Sequence, residues 1–237
     1  GCHYQHLPYQ EQLTIKTDIL RDQLQRIGKI EDPPVKPCVA SKQPWNYRNH
    51  IQFQLSSEGQ LGFLAQSAQV VIPITECHLP EDSINQLWPQ LDLEAIPGLD
   101  RVAIRLGANQ DLMVVLQSSD PHPVGLDLDT PLSVVHLGPG GGLVMAGDDH
   151  IVVEIKERLF RVSASSFFQT NAAMAEAMVA HLLDGLPLDE NSTLIDAYCG
   201  VGLFSAFLAP HIGRLVAIEA SPEAGDDFAI NLDEFEH

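Results

Sequence analysis

Apolar residues return at helical spacing over residues 8–28, where Leu13, Leu20, Leu24 and Ile27 stand among polar positions and Gly28 follows as a stop. The spacing predicts one packing helix there. Residues 31–44 carry four prolines and read as a linker. From residue 46 the period changes to two. Tyr47, Ile51, Phe53 and Leu55 alternate with Arg48, Asn49, Gln52 and Gln54, as in a half-buried strand. After a turn at Glu58-Gly59, residues 61–64 and 69–74 read as two further strands, a small antiparallel meander that ends at Cys77. A helix is expected over 81–91, with Ile84, Leu87 and Trp88 on one side. Residues 101–106 and 112–116 read as a hairpin, 118–150 as loop-rich, and 151–155 with 159–162 as a last hairpin.

Beyond residue 163 the pattern is different. Residues 172–183 form an amphipathic helical stretch with Met174, Met178, Val179 and Leu182 as core and Asn171 as its cap. Leu194, Ile195 and Ala197 read as a short buried strand, and 203–208 as a helix that opens straight after Gly200 and Gly202. A second apolar run, 215–218, ends on Glu219. Strand, glycine turn, helix, strand and acid make the layout of a nucleotide-type cofactor site, the acid being placed for ribose hydroxyls. A lone Gly-x-Gly is also found in ordinary βαβ turns, but Asp196, Tyr198-Cys199 and the strand-terminal Glu219 favour a cofactor. The third glycine of a dinucleotide fingerprint is missing, since Leu203-Phe204-Ser205 follows Gly202. S-adenosylmethionine therefore suits the turn better than NAD. Gly138-Pro139-Gly140-Gly141-Gly142 reads as a turn and not a phosphate loop: Pro139 removes an amide donor and no Lys-Ser/Thr follows.

Asp196-Ala197-Tyr198-Cys199-Gly200-Val201-Gly202-Leu203-Phe204 resembles the first cofactor motif of the RNA uracil C5-methyltransferases, which make 5-methyluridine in 23S ribosomal RNA and tRNA. Ser166-Phe167-Phe168-Gln169-Thr170-Asn171 is similar to the stretch that opens the catalytic domain of that family. Gly1-Cys2-His3-Tyr4-Gln5-His6 is similar to the end of its iron–sulfur motif, and Pro44-Trp45-Asn46-Tyr47-Arg48 to the start of its central domain. The motifs run in family order.

The resemblance implies cofactor contacts at Gln169, Tyr198, Gly200, Gly202 and Glu219, and an RNA contact at Arg48. It implies that Cys2 and Cys77 are two of four thiolates around a [4Fe–4S] cluster, which needs all four. It implies an α/β fold: an incomplete doubly wound, Rossmann-like methyltransferase domain over 163–237, preceded by a mixed, mainly antiparallel α+β central domain over 39–162 and by a remnant of the iron–sulfur motif, helix and linker over 1–38. The family's nucleophile lies in a Ser-Cys-Asn-Pro stretch absent from this sequence. Cys199 sits in the cofactor turn and is not that nucleophile, so no catalytic residue is assigned. The chain is read as a piece lacking both ends and inactive by itself.

Composition narrows this picture. Hydrophobic residues make up 45% of the chain, and no apolar run approaches the ~20 residues of a membrane helix. The four cysteines, at 2, 38, 77 and 199, form no Cys-x-x-Cys pair. A cytoplasmic monomer is expected, with 23S rRNA before tRNA as partner because of the cluster cysteines, and no membrane. The net charge of −19 argues against a general nucleic-acid surface. It keeps two alternatives open: a methyltransferase of a small molecule or protein, and a non-catalytic nucleotide-binding module.

Overall fold

The structure is a computed structural model that describes residues 2–65, 70–91, 93, 98–123 and 131–235. The chain divides into two compact units, Gly1–Trp45 and Asn46–His237. In the first, a 3₁₀ turn at Cys2–Tyr4 precedes helix α1, Tyr9–Arg26. The proline-rich segment after it is not a free linker. The Cys38 amide donates to Thr17 Oγ1 at 2.9 Å and the Ser41 amide to Tyr9 Oη at 2.7 Å, which returns the extended chain along the helix. Leu13 is buried, whereas Leu20 and Ile27 of the same apolar spacing are exposed.

The second unit is built on a seven-stranded sheet. Its strands are β1 (His50–Leu55), β2 (Leu61–Leu64), β3 (Val71–Pro73), β4 (Leu99–Leu106), β5 (Leu112–Ser118), β6 (Ser133–Gly138) and β7 (Gly141–Ala146), in the order β3-β2-β1-β4-β5-β6-β7. All neighbours are antiparallel except β5 and β6. Alternation along β4 and β5 feeds two cores. Val102, Ile104, Val114 and Leu116 share one face with Phe53 and pack on Ile84, Leu87 and Trp88. Ala103, Met113 and Val115 face the other way, onto the antiparallel hairpin of β8 (His150–Ile155) and β9 (Arg158–Ser163). Strands buried on both faces lose the polar alternation of a surface strand, hence the near-continuous apolar runs at 102–106 and 112–116.

Several expectations need correction. The first strand is shorter than 46–55: Asn46 has a positive φ of 49°, and Arg48 makes only an isolated bridge to Pro80. The helix expected over 81–91 is α2, Asp82–Leu87, followed by a 3₁₀ turn at Trp88–Gln90, because Pro89 has no N–H for a further α-helical bond. The loop-rich stretch contains β6 and β7, joined at Pro139-Gly140. β6 pairs parallel to β5, a non-local contact that carries no turn signature of its own. Part of that stretch, residues 124–130, and the start of the third expected strand, residue 69, lie outside the described residues.

The chain then adds α3 (Ala172–Gly185), β10 (Thr193–Ala197), α4 (Leu203–Leu208), β11 (Arg214–Ile218) and α5 (Pro222–Asn231). β10 and β11 pair in parallel, Asp196 beside Ala217 and Ala197 beside Ile218. This α/β arrangement behind a mainly antiparallel sheet is the fold class expected. β10 is not a buried strand, however. Leu215 packs toward the core, but Ile195 on the opposite face is 63% exposed, because only one face of this pair is covered among the described residues. On α3, Val179 and Ala175 are buried and Met178 points outward.

Candidate functional site

The chain leaves β10 through a run of left-handed residues. Tyr198 has φ 63°, Gly200 φ 54° and Gly202 φ 90°. The amides of Tyr198 and Cys199 both donate to the Ile218 carbonyl, at 2.8 and 3.2 Å, which pins the turn to the tip of β11. Gly202 is the N-cap of α4 and its amide donates to the Cys199 carbonyl at 3.0 Å. A Cβ on Gly202 would lie 2.5 Å from Leu232 Cδ1 and 2.9 Å from the Phe228 ring, so glycine is needed for packing as well as for φ. A Cβ on Gly200 would meet nothing within 4 Å, so the space beside Gly200 is open. Ser205 of α4 donates to Asp196 Oδ2 at 2.7 Å and ties the helix start to β10.

Glu219 follows β11 directly and its carboxylate turns back on the glycine turn. Its Oε2 accepts from the Gly200 amide at 2.9 Å, and its Oε1 from the amides of Ala220 at 2.7 Å and Ser221 at 2.9 Å. The bonds from Ser221, Gly200 and Ala220 hold its carboxyl below the ordinary carboxylate range. A carboxylate oxygen has two lone-pair sites. Oε1 has used both, while Oε2 retains one for a hydroxyl donor. Tyr198, whose amide donates to the Ile218 carbonyl just before Glu219, has a side chain that is 90% exposed. The residues present therefore fit a nucleoside: open space beside a glycine backbone, one anionic acceptor bonded to that glycine and one exposed aromatic.

Gln169 comes from a separate segment that is held at both ends. Ser166 and Phe168 are buried. Asn49 donates from Nδ2 to the Gln169 carbonyl at 3.2 Å and from its amide to the Thr170 carbonyl at 3.0 Å. Asn171 caps α3, accepting from the Met174 amide at 3.0 Å, as expected of it. Arg105 of β4 donates from Nη2 to the Ser166 carbonyl at 2.7 Å. Burial brings Arg105 down to about 10, with Asp227 acting in the opposite sense. His50 is pushed down to about 4 by burial, then by Arg105 and Arg48, and so is neutral at pH 7.

Cys199 is a poor nucleophile here. Burial pushes its thiol up, and the carboxylates of Asp196 and Glu219 add to that. Arg48 and Cys77 are apart from the glycine turn in sequence but belong to neighbouring segments. The amides of Tyr47 and Arg48 donate to the Leu79 carbonyl, both at 2.9 Å. Arg48 is half-buried, its Nε without a partner, and Cys77 packs against the core around Phe53. Among the described residues, no group of three or more histidine, cysteine or acidic side chains stands where it could hold a metal ion. Cys77 is the one implied cluster ligand whose side chain is described, and one thiol does not form a cluster site; no chemistry is routed through it.

Two residues near the site carried no motif. Asp227 and Asn231 are buried on α5. Their signal in the sequence is positional: both fall on the face of the helix that also carries Ala224.

Residues 146–235 match the family model described as tRNA (Uracil-5-)-methyltransferase. An "Uncharacterized RNA methyltransferase" of Aquifex aeolicus is 32% identical over 98% of this chain, and another of Halalkalibacterium halodurans is 31% identical over 96%. The chain spans 57% of the length of each of these relatives. The fold is shared with the crystal structure of Pyrococcus abyssi tRNA (uracil-54, C5)-methyltransferase in complex with S-adenosyl-L-homocysteine. That likeness has a TM-score of 0.70 at 21% identity and covers 99% of this chain and 62% of the other. The ordered motifs and the glycine turn facing its acid stand beside these similarities: the chain is similar to RNA methyltransferases over nearly its whole length and to the tRNA (Uracil-5-)-methyltransferase family model over residues 146–235.

Proposed function

We propose that this chain is the S-adenosylmethionine-binding and RNA-facing portion of an enzyme that methylates carbon 5 of a uridine in RNA, 23S rRNA before tRNA, working in the cytoplasm as a monomer. The observation that carries the reading is the bond of 2.9 Å from the Gly200 amide to Glu219 Oε2, with open space beside Gly200 that we read as the cofactor's hollow. Glu219 Oε2 accepts a ribose hydroxyl. A second hydroxyl is accepted only if Oε1 gives up one of its two amides. Tyr198 covers the adenosyl face from the solvent side, and Gln169 supplies amide bonds at the mouth of the hollow. Gly202 lets α4 start close against Leu232 and Phe228, which keeps the hollow's floor in place. When bound, the cofactor supplies an electrophilic methyl group.

Carbon 5 of uracil needs activation before it accepts a methyl group, and the family resemblance places the activating thiolate in a segment not found here. Cys199 does not substitute for it, because its surroundings oppose the thiolate. The chain by itself binds cofactor and turns nothing over. Arg48 is an RNA phosphate contact, as the family resemblance implies, through its guanidinium end and not through its buried Nε. Cys2 and Cys77 contribute to a [4Fe–4S] cluster in a longer protein. Iron and acid-labile sulfide missing from that protein after anaerobic purification would remove this last part.

Calorimetry with S-adenosylhomocysteine tests the cofactor site. Glu219→Ala should bind at least about tenfold more weakly, through loss of a charge-assisted hydrogen bond of about 1.5–3 kcal/mol. Unchanged affinity would refute the assignment. The net charge of −19 favours the second reading, a small-molecule or protein substrate. Filter binding of 23S rRNA fragments and tRNA transcripts by the complete enzyme separates the two.

A further inference from the structure

Asp227 and Asn231 lie four residues apart on α5 and so share one face. They are 0% and 8% exposed. Burying a carboxylate in a core is costly unless its lone pairs are met, and those of Asp227 are. Oδ1 accepts from Ser163 Oγ at 2.8 Å and Arg161 Nε at 3.1 Å; Oδ2 accepts from the Ser163 amide at 2.8 Å and Ser166 Oγ at 2.6 Å. Asn231 is used as fully. Its Oδ1 accepts from the Arg161 amide at 2.8 Å, and its Nδ2 donates to the carbonyls of Arg161 at 3.0 Å and Val201 at 2.9 Å.

The partners are what matter. Ser166 stands three residues before Gln169. Val201 stands between Gly200 and Gly202. The helix that carries both pins starts after Ser221, its N-cap, two residues beyond Glu219. The segment of Gln169 and the glycine turn are thus fastened to one helix by separate side chains, and the segment of Glu219 runs directly into that helix. An apolar pair at these two positions would fill the same space but would fix none of these spacings.

We propose that Asp227 and Asn231 are positioning residues that set the width of the hollow. Asp227 holds the segment of Gln169, Asn231 holds the glycine turn, and α5 is the spacer between them. The functional meaning rests on the cofactor reading above; the mechanical part does not.

The test uses the 237-residue chain and the variants Ser166→Ala, Asn231→Ala and Asp227→Asn. Asp227→Asn turns an amide donor toward a cluster of donors. Amide hydrogen exchange should quicken at least tenfold in residues 166–171 for Ser166→Ala alone, in 198–202 for Asn231→Ala alone, and in 163–171 for Asp227→Asn. Loosening of both segments by either single-arm variant, or of neither, overturns the proposal. If Asp227→Asn does not fold, the two single-arm variants decide. S-adenosylhomocysteine affinity should fall at least tenfold in Ser166→Ala and Asn231→Ala. It should stay within threefold in Ile84→Ala, a truncation in the other core cluster, around Phe53 and Trp88, and an equal loss there overturns the positioning role. A wild-type chain that does not bind the probe sinks the cofactor reading, and the exchange pattern then decides the mechanical claim.

Discussion

The two glycines of the turn should respond differently to the same added methyl group. At Gly202 an alanine side chain meets Leu232 Cδ1 at 2.5 Å and the Phe228 ring at 2.9 and 3.2 Å, with φ at 90°. A left-handed non-glycine residue costs about 1–2 kcal/mol, and forcing a methyl into a filled core costs about 1–3 kcal/mol. Together these predict that Gly202→Ala loses about 2–5 kcal/mol, a fall in Tm of about 4–20 °C for a chain of this size. At Gly200, φ is 54° and the methyl group enters open space. The conformational penalty is again about 1–2 kcal/mol, partly offset by the gain of about 0.4–1 kcal/mol from stiffening the unfolded chain. Gly200→Ala should therefore stay within about 1.6 kcal/mol of wild type, yet its methyl group occupies the hollow and should abolish S-adenosylhomocysteine binding. Urea denaturation and calorimetry on both variants make the comparison. A Gly202→Ala chain as stable as wild type would refute the packing account. A Gly200→Ala chain with wild-type affinity would show that the hollow is not where the nucleoside sits.

Other expectations follow from the same geometry. His50 is neutral in the fold, its pKa about 4 against an ordinary 6.5. The unfolded chain therefore binds the extra proton first. The stability this group provides is complete above the ordinary value and is lost as pH falls toward the folded one, about 2 kcal/mol between about pH 7 and 5. Urea midpoints should fall over that interval, and His50→Gln should flatten the fall; an equal slope in the variant would discard the explanation. Ile104, 0% exposed on the α2 side of β4, should cost about 2–5 kcal/mol when cut to alanine, read by thermal denaturation; a loss under about 1 kcal/mol would mean that this face is not close-packed.

Local patterns of the chain were legible where one short stretch decides the outcome. Helix α4, the strand that ends on Glu219, the Asn171 cap and the hairpin 151–162 follow from spacing and capping residues alone. β6 and β7 were not legible, because β6 is held by a parallel neighbour and β7 has two glycines and an exposed edge. The proline-rich segment looked like a linker because nothing in its own residues reveals that Thr17 and Tyr9 reach back to it. In the candidate site, the closeness of Gly200 and Glu219 could be read from the order strand, turn, helix, strand, acid. The roles of Ser166, Asn49, Arg105, Asp227 and Asn231 could not. Each acts through a partner 30 or more residues away, Asn231 and Val201 being an example at a separation of 30, and no local pattern names such a partner.

The parallel ribbon of β10 and β11 has a colloidal consequence. Its open face carries Ile195 and Ile218, 63% and 56% exposed, and among the described residues neither outer edge of the ribbon is paired. Unpaired edges beside apolar side chains invite another copy to add a strand. The chain's charge of −19 works against that by mutual repulsion between copies. Repulsion of this kind shortens its reach from about 10 Å at 0.1 M salt to about 3 Å at 1 M. Light scattering should therefore report particles that grow as salt is added, the reverse of what is expected of a protein whose self-association is driven by opposite charges.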